Sequence, residues 1–255
     1  MADVRDGLAQ RDSGVRFDWG STGCLELSVA TGCVAVVDVL TFTTAVSIAT
    51  ARGIAVLPLS MDAEDPEGFA ASRRAQLAVG RQDMTTERPW SLSPASLAAG
   101  PWVNRLVLPS PNGALVALVA EGAVVAACLR NAEAVARWIV ARGYGTLERP
   151  ALIVASGERW SDGSLRPALE DALGAGAVLS HLAKAGLPLS AEASAMAAMF
   201  EGISDLDASL RACASARELK ANGYERDVDA ALELDADKHV PLLRLGAFSA
   251  ASDLR

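Results

Sequence analysis

A single carboxylate, Asp38, closes the apolar run at residues 34–37, and the threonines Thr41, Thr43 and Thr44 follow it. Four small apolar residues of this kind, bounded by a turn-forming segment, read as a strand buried on both faces. A threonine just before the apolar-periodic segment 45–51 is a helix N-cap candidate. The spacing therefore puts Asp38 at the carboxyl end of a central strand, beside a helix N-terminus. Open α/β sheets bind their ligands at that edge. Exposed N–H groups and the helix dipole suit it to phosphate or another oxyanion. A carboxylate there repels an anion unless a cation lies between them, which points to Mg²⁺. The plainer alternative is that Asp38 only caps the helix.

Other polar groups fall just beyond expected strand ends: Ser110 and Asn112, then Asn131, then Glu158. Each has a simple explanation alone, since Asn112-Gly113 makes a turn and Asn131 a cap. Four such loops on one edge of a parallel sheet form a shared site. Residues 80–102 are the longest aperiodic stretch and hold Arg81, Glu87, Arg88 and Ser93-Pro94, so a lid or substrate loop is expected there. Other chemistries lack their signatures. There is no G-x-S-x-G elbow, no G-x-x-x-x-G-K-[ST] loop, and no histidine placed at a strand end. The run VVDVLT is similar to the strand-end aspartate of haloacid-dehalogenase-type phosphatases, but Leu40 stands where their second aspartate falls. His181 and His239 share no ligand spacing, and Cys24, Cys33, Cys128 and Cys213 form no C-x-x-C pair. Any metal should therefore be a hard one held by oxygen.

The elements that must position these groups follow from periodicity. Strands are expected over 15–19, 24–29, 54–59, 105–109, 124–129, 151–155 and 240–245, besides the one ending at Asp38. Helices are expected over 69–79, 114–120, 132–141, 168–185, 191–200 and 205–222. This alternation predicts an α/β fold in three layers, a mostly parallel sheet flanked by helices with a more helical C-terminal third. Residues 1–14 read as a mobile tail and 15–255 as a single domain. Gly174 and Gly176, inside an expected helix, read as close-packing positions. The net charge of −8, with Lys184, Lys220 and Lys238 as the only lysines, argues against nucleic-acid or acidic-membrane surfaces. No apolar run reaches membrane-spanning length, and the first residues are too polar for a signal peptide. A cytoplasmic location with reduced thiols is the expectation.

The order of segments resembles the 2-phosphosulfolactate phosphatase (ComB-like) family over roughly Arg16 to Leu245. The pieces are Val36-Val37-Asp38-Val39-Leu40 with Thr43-Thr44, Leu92-Ser93-Pro94, and Ser110-Pro111-Asn112-Gly113. They continue with Asn131-Ala132, Gly157-Glu158, Leu169-Glu170-Asp171 with Gly174-Ala175-Gly176-Ala177, Ser215 and Leu219, Gly223, Asp227-Val228 and Val240-Pro241. The order is specific where no single piece is. The resemblance implies a Mg²⁺-dependent phosphomonoesterase on an α/β fold. The family converts 2-phospho-3-sulfolactate to 3-sulfolactate on the way to coenzyme M.

On this resemblance Asp38, Glu170, Asp171 and Asp227 are the metal-ligand candidates, and Asp38 and Glu158 the catalytic ones. Thr43, Thr44, Ser110, Asn112, Asn131 and Arg159 are the substrate-binding candidates. The expected partner is a small anionic phosphorylated substrate, with a homodimer allowed and nucleic acid and membrane excluded. Two positions depart from the family pattern. Thr41 stands where an arginine is common, and Gly80-Arg81-Gln82 stands for Gly-Glu-Arg. Arg130, Arg159 or Arg166 are candidates to restore the charge. These departures motivate an alternative, a non-catalytic protein of the same fold that binds an anionic metabolite.

Overall fold

The computed structural model describes residues 8–251. Eleven strands are found there: β1 (Val15–Trp19), β2 (Cys33–Val37), β3 (Ala55–Ser60), β4 (Gln76–Leu77), β5 (Arg105–Ser110), β6 (Ala123–Ala127), β7 (Ala151–Ala155), β8 (Glu158–Arg159), β9 (Leu165–Arg166), β10 (Pro241–Arg244) and β11 (Ala247–Ala250). The helices of the first half are α1 (Gly20–Ser28), α2 (Phe42–Ala51), α3 (Pro66–Ser72), α4 (Pro94–Ala99), α5 (Gly113–Val119) and α6 (Ala132–Ala141). The C-terminal third carries α7 (Leu169–Lys184), α8 (Ala191–Gly202), α9 (Leu206–Ala212), α10 (Ala214–Ala221) and α11 (Glu225–Ala231).

Nine strands form one sheet in the order β1-β7-β2-β6-β10-β11-β3-β5-β4, and β8 and β9 form a separate small hairpin. The first four strands pair in parallel, and so do the last three. The hairpin β10-β11 joins these two blocks through antiparallel pairings. The fold is thus α/β with a mostly parallel sheet, as the alternation of strands and helices requires. Three antiparallel steps reverse the strand sense between blocks. Twist of about 20–25° per pairing, summed from β2 to β5, turns the second block by on the order of 100°. The ends of β2 and β5 meet, the Gly113 N–H beyond β5 bonding Asp38 beyond β2 at 2.8 Å.

Along β2, Cys33, Ala35 and Val37 join one apolar cluster while Val34 and Val36 join another on the opposite face. The first cluster is closed by α6, α7 and α8, the second by α1, α2 and α5. This is the three-layer arrangement, and it explains the unbroken apolar run of a two-sided buried strand. Gly174 lets α7 lie on β2, since a Cβ there would meet Val39 Cγ2 at 2.5 Å.

Several expected elements differ. Residues 24–28 belong to helix α1, with Val29 as its C-cap, and not to a strand: Cys24, Leu27 and Ser28 are buried while Leu25 and Val29 are exposed, a period near 3.6. The helix expected over 69–79 stops at Ser72. Arg74 then takes φ 51°, and Gln76–Leu77 becomes the edge strand β4. The helix expected over 205–222 breaks at Cys213, whose extended backbone and Sγ cap α10 at the Ala216 N–H. Helix α11 and strand β11 were not anticipated. Residues 1–7 of the expected tail lie outside the described residues. Gln10 is tied to the body, its side-chain amide bonding both the N–H and the carbonyl of Phe17. All four cysteines are free and buried. No helix among the described residues is long and apolar enough to cross a membrane.

Candidate active site

Asp38 follows β2 directly and is held by main chain from two loops. Its Oδ1 accepts the Phe42 N–H at 3.0 Å, and its Oδ2 accepts the Gly113 N–H at 2.8 Å. A Cβ at Gly113 would fall 2.6 Å from Asp38 Oδ2, so glycine is required for the approach. Asp38 therefore does cap α2, yet it also lines a cavity of about 580 Å³. Burial raises its pKa to about 6. Repulsion from Glu170 adds to this, while the two N–H bonds and Arg81 oppose it.

Glu158, after β7, lines the same cavity, and its Oε2 accepts the Asn112 amide at 3.0 Å. Burial and the Asp38 charge raise its pKa to about 7, against the Asn112 bond and Arg166. Ser110 and Asn112, after β5, also line the cavity. The loops after β2, β5 and β7 thus converge as expected. The loop after β6 does not. Asn131 is fully buried, with Oδ1 accepting the Cys128 N–H at 2.9 Å and Nδ2 donating to Ala126 and His239 carbonyls. Its hydrogen-bonding capacity is spent on its own turn, which corrects the expectation that it contacts substrate.

Thr43 and Thr44 also act on the protein rather than facing the cavity, whose wall does include Thr41. The Thr43 hydroxyl donates to the Asp38 carbonyl at 2.7 Å and accepts the Asp38 N–H at 2.9 Å. The Thr44 hydroxyl donates to the Val39 carbonyl at 2.7 Å. Both are buried and absent from the cavity wall, so they shape the Asp38 turn. The first amides of α2 are likewise occupied, Phe42 by Asp38 Oδ1 and Thr43 by the Asp38 carbonyl.

The four metal-ligand candidates separate into different environments. Asp171 clasps two loops, accepting Val39 N–H at 2.7 Å and Gly157 N–H at 2.8 Å. Burial, with the charges of Asp38 and Glu170, holds its pKa well above the usual carboxylate range. Asp227 accepts from Ser93 Oγ at 2.5 Å, Ala95 N–H at 3.2 Å and Arg81 Nε at 3.0 Å. A guanidinium already pairs with it, and it does not line the Asp38 cavity. Glu170 is 2% exposed, is close enough to raise the Asp38 pKa, and forms no ion pair among the described residues. Its neighbour on α10 is the Cys213 thiol. Among the described residues no three His, Cys, Asp or Glu side chains converge to hold a metal ion. Glu170 is not on the cavity wall, but it is buried without a counter-cation and within electrostatic reach of Asp38, which fits Mg²⁺, an ion that takes one or two carboxylates and fills its shell with water and substrate phosphate.

Two cavity residues were missed as site residues. Arg81 was named in the expected lid or substrate loop and as a departure from the family pattern, but not as a site residue. Its Nη2 donates to Thr41 Oγ1 at 2.8 Å and its guanidinium lies 5.3 Å from the Tyr224 ring. The positive charge absent at Thr41 is thus delivered from the loop, one position before Gln82, which is exposed. Ser215 lines the cavity with its Oγ buried and unpartnered. Its place in the ordered family segments was the available signal. Arg159 lies outside the cavity, bonding weakly to Asn112 Oδ1 and the Pro111 carbonyl at 3.4 Å each.

A family model described as 2-phosphosulpholactate phosphatase matches residues 24–246, a span that contains every strand-end group described above. No curated protein matches the chain. With that match across most of its length, the chain belongs to the 2-phosphosulpholactate phosphatase family, a family of phosphoric monoester hydrolases.

Proposed function

We propose that the chain is a Mg²⁺-dependent phosphatase of a small anionic phosphomonoester, with 2-phospho-3-sulfolactate as the substrate to assay first. One observation carries this reading. Two carboxylates with different environments, Asp38 and Glu158, face one cavity, with the half-buried Arg81 on the same wall. Burial raises both pKa values, to about 6 and about 7, so both acids exchange protons near neutrality, with Glu158 the more readily protonated.

Asp38, oriented by two main-chain N–H groups, stays largely ionised at neutral pH. Glu158, with a pKa raised to about 7, retains a proton to give to the leaving oxygen. Arg81 brings positive charge to the wall near Asp38, and Ser110, Asn112 and Ser215 offer hydrogen bonds to phosphate oxygens. Mg²⁺ would be held by Asp38 and Glu170. When bound it supplies charge neutralisation for the phosphoryl oxygens.

The test is phosphate release from 2-phospho-3-sulfolactate and from a panel of phosphomonoesters, each with Mg²⁺ and with chelator. Turnover that needs Mg²⁺ supports the reading. No turnover of any ester under either condition overturns it.

A further inference from the structure

A second cavity of about 340 Å³ abuts the first and shares Asn112 and Glu158 with it. Its other walls are the start of α1, through Ser21 and Thr22, the end of the β7 loop at Ser156, and the β8-β9 hairpin through Arg159 and Leu165. Helix α1 begins with no side-chain cap and no acidic residue in its first turn. Its positive dipole end is therefore uncompensated from within the helix. By itself that is a common feature. The independent observation is Ser156, which is 3% exposed, lines this cavity, and has a buried Oγ with no hydrogen-bond partner. An unpaired buried hydroxyl is destabilising unless something bonds it.

Charge on the wall points to the occupant. Arg159 forms no ion pair among the described residues, and its two contacts to Asn112 and Pro111 are long. Asp18 lies against the first turn of α1, where a Cβ at Gly23 would fall 2.6 Å from its Oδ1, so the helix start is already faced by a carboxylate and the anion-binding groups are the side chains of the wall, of which Asp18 is not one. The one carboxylate there, Glu158, has its Oε2 held by the Asn112 amide. Gly20 and Gly157, both at positive φ, leave room for the Leu165 side chain, which lines the cavity and is partly exposed. Beside the apolar Trp19, Leu115, Val116 and Leu165, the wall carries the Arg159 guanidinium and the hydroxyls of Ser21, Thr22 and Ser156, groups that bond an oxyanion.

We propose that this cavity is an anion subsite that takes a second, non-scissile acidic group of the substrate, a carboxylate, sulfonate or further phosphate, while the scissile phosphate occupies the Asp38 cavity. The assignment of the bound group to the substrate rests on the phosphatase reading; the anion site itself does not.

The experiment therefore has two arms on the full chain. In the first, inorganic sulfate is titrated into the isotopically labelled protein and amide shifts are followed in wild type, Ser156→Ala, Arg159→Gln and, as a control in the first cavity, Arg88→Gln. Saturable shifts at Ser21 and Thr22, weakened at least about tenfold in both Ser156→Ala and Arg159→Gln but retained in Arg88→Gln, are expected. Absence of shifts at α1, or weakening by Arg88→Gln alone, overturns the site. In the second arm, kcat/KM for 2-phosphoglycolate is divided by that for phenyl phosphate. Ser156→Ala and Arg159→Gln are expected to lower this ratio at least about tenfold. An unchanged ratio with sulfate binding intact overturns the substrate assignment, and no turnover of either ester overturns the phosphatase reading while the first arm still decides the site.

Discussion

Strands β2 and β6 are parallel neighbours with registered pairing from Cys33↔Ala123 to Val37↔Ala127, and each is followed by a polar residue that turns the chain into a helix. Their ends nevertheless serve opposite purposes. After β6, Asn131 spends both amide atoms on the turn it occupies. After β2, Asp38 also accepts two main-chain N–H groups, but its carboxylate remains on a cavity wall. Topology offers a ligand edge to every parallel strand. What makes one strand end a site is spare bonding capacity facing open space, and neighbouring loops decide that.

The largest expected contrast tests this directly. Asp38→Asn should lower turnover at least about 10³-fold with the fold retained. Asn131→Ala should leave turnover within about twofold and cost about 1–3 kcal/mol in denaturant unfolding, because the Cys128 N–H loses its buried acceptor. Near-normal turnover in Asp38→Asn would reduce that residue to a helix cap and erase the distinction between the two ends.

A second contrast lies within one helix start. Glu170 and Asp171 are sequence neighbours pointing about 100° apart. Asp171 is a clasp between two loops, whereas Glu170 is buried without a cation. Glu170→Gln should abolish Mg²⁺-dependent turnover, by about 10² or more, with little loss of stability. Asp171→Asn should change turnover only a few-fold while lowering stability by about 1–3 kcal/mol. Equal, mild losses in both, measured as Mg²⁺-dependent rates and unfolding midpoints, would place the metal elsewhere.

How much of this could be read beforehand follows the same division. The run at 34–37 announced β2 and Asp38 because a two-sided buried strand has no polar alternation to confuse it. The convergence of the loops after β2 and β7 followed from parallel topology, whereas β5 belongs to the reversed block and its loop meets them through the Gly113–Asp38 bond. The roles of Thr43, Thr44 and Asn131 did not, since a residue type shows that a side chain can bond but not which partner takes it. Arg81 was hidden for a related reason. It reaches Asp227, 146 positions away in sequence, from an aperiodic loop. The split at Cys213 and the helix at Gly20–Ser28 were missed because short apolar runs fit either period.

The third contrast sets the Asp38 clasp, made by main chain, against the Arg81–Asp227 tie, made by side chains. Replacing one partner of a buried pair leaves the other charge uncompensated. Asp227→Ala should therefore destabilise the fold by about 3–5 kcal/mol and raise KM by freeing Arg81 from the loop. Arg81 is less deeply placed than Asp227, with side-chain exposures of 18% and 1%, so the carboxylate is the costlier member to strand. Replacing Arg81 by Met, which leaves Asp227 buried and unpaired, should destabilise more than the double replacement of both. A double variant less stable than Arg81→Met alone would show that the tie is not a charge pair in its effect.

The smallest expected effect concerns the two acids sharing the cavity. The Glu158 pKa, raised to about 7 from the ordinary 4.5, makes its protonated form available near neutrality. Between those values the folded chain binds more protons than the unfolded chain at this site. The sign of linkage is then negative: stability contributed by the proton declines as pH rises through the window and is gone above it. Activity should follow the same proton. For an alkyl phosphate, whose leaving oxygen needs protonation, kcat/KM should fall about tenfold per pH unit above about 7. For p-nitrophenyl phosphate, whose leaving group departs as an anion, that limb should be shallow. Glu158→Gln should remove the alkaline limb with the alkyl ester and alter the aryl profile little in shape. An alkaline limb that survives in Glu158→Gln would assign the proton to another group and leave Glu158 as a wall residue beside Asn112.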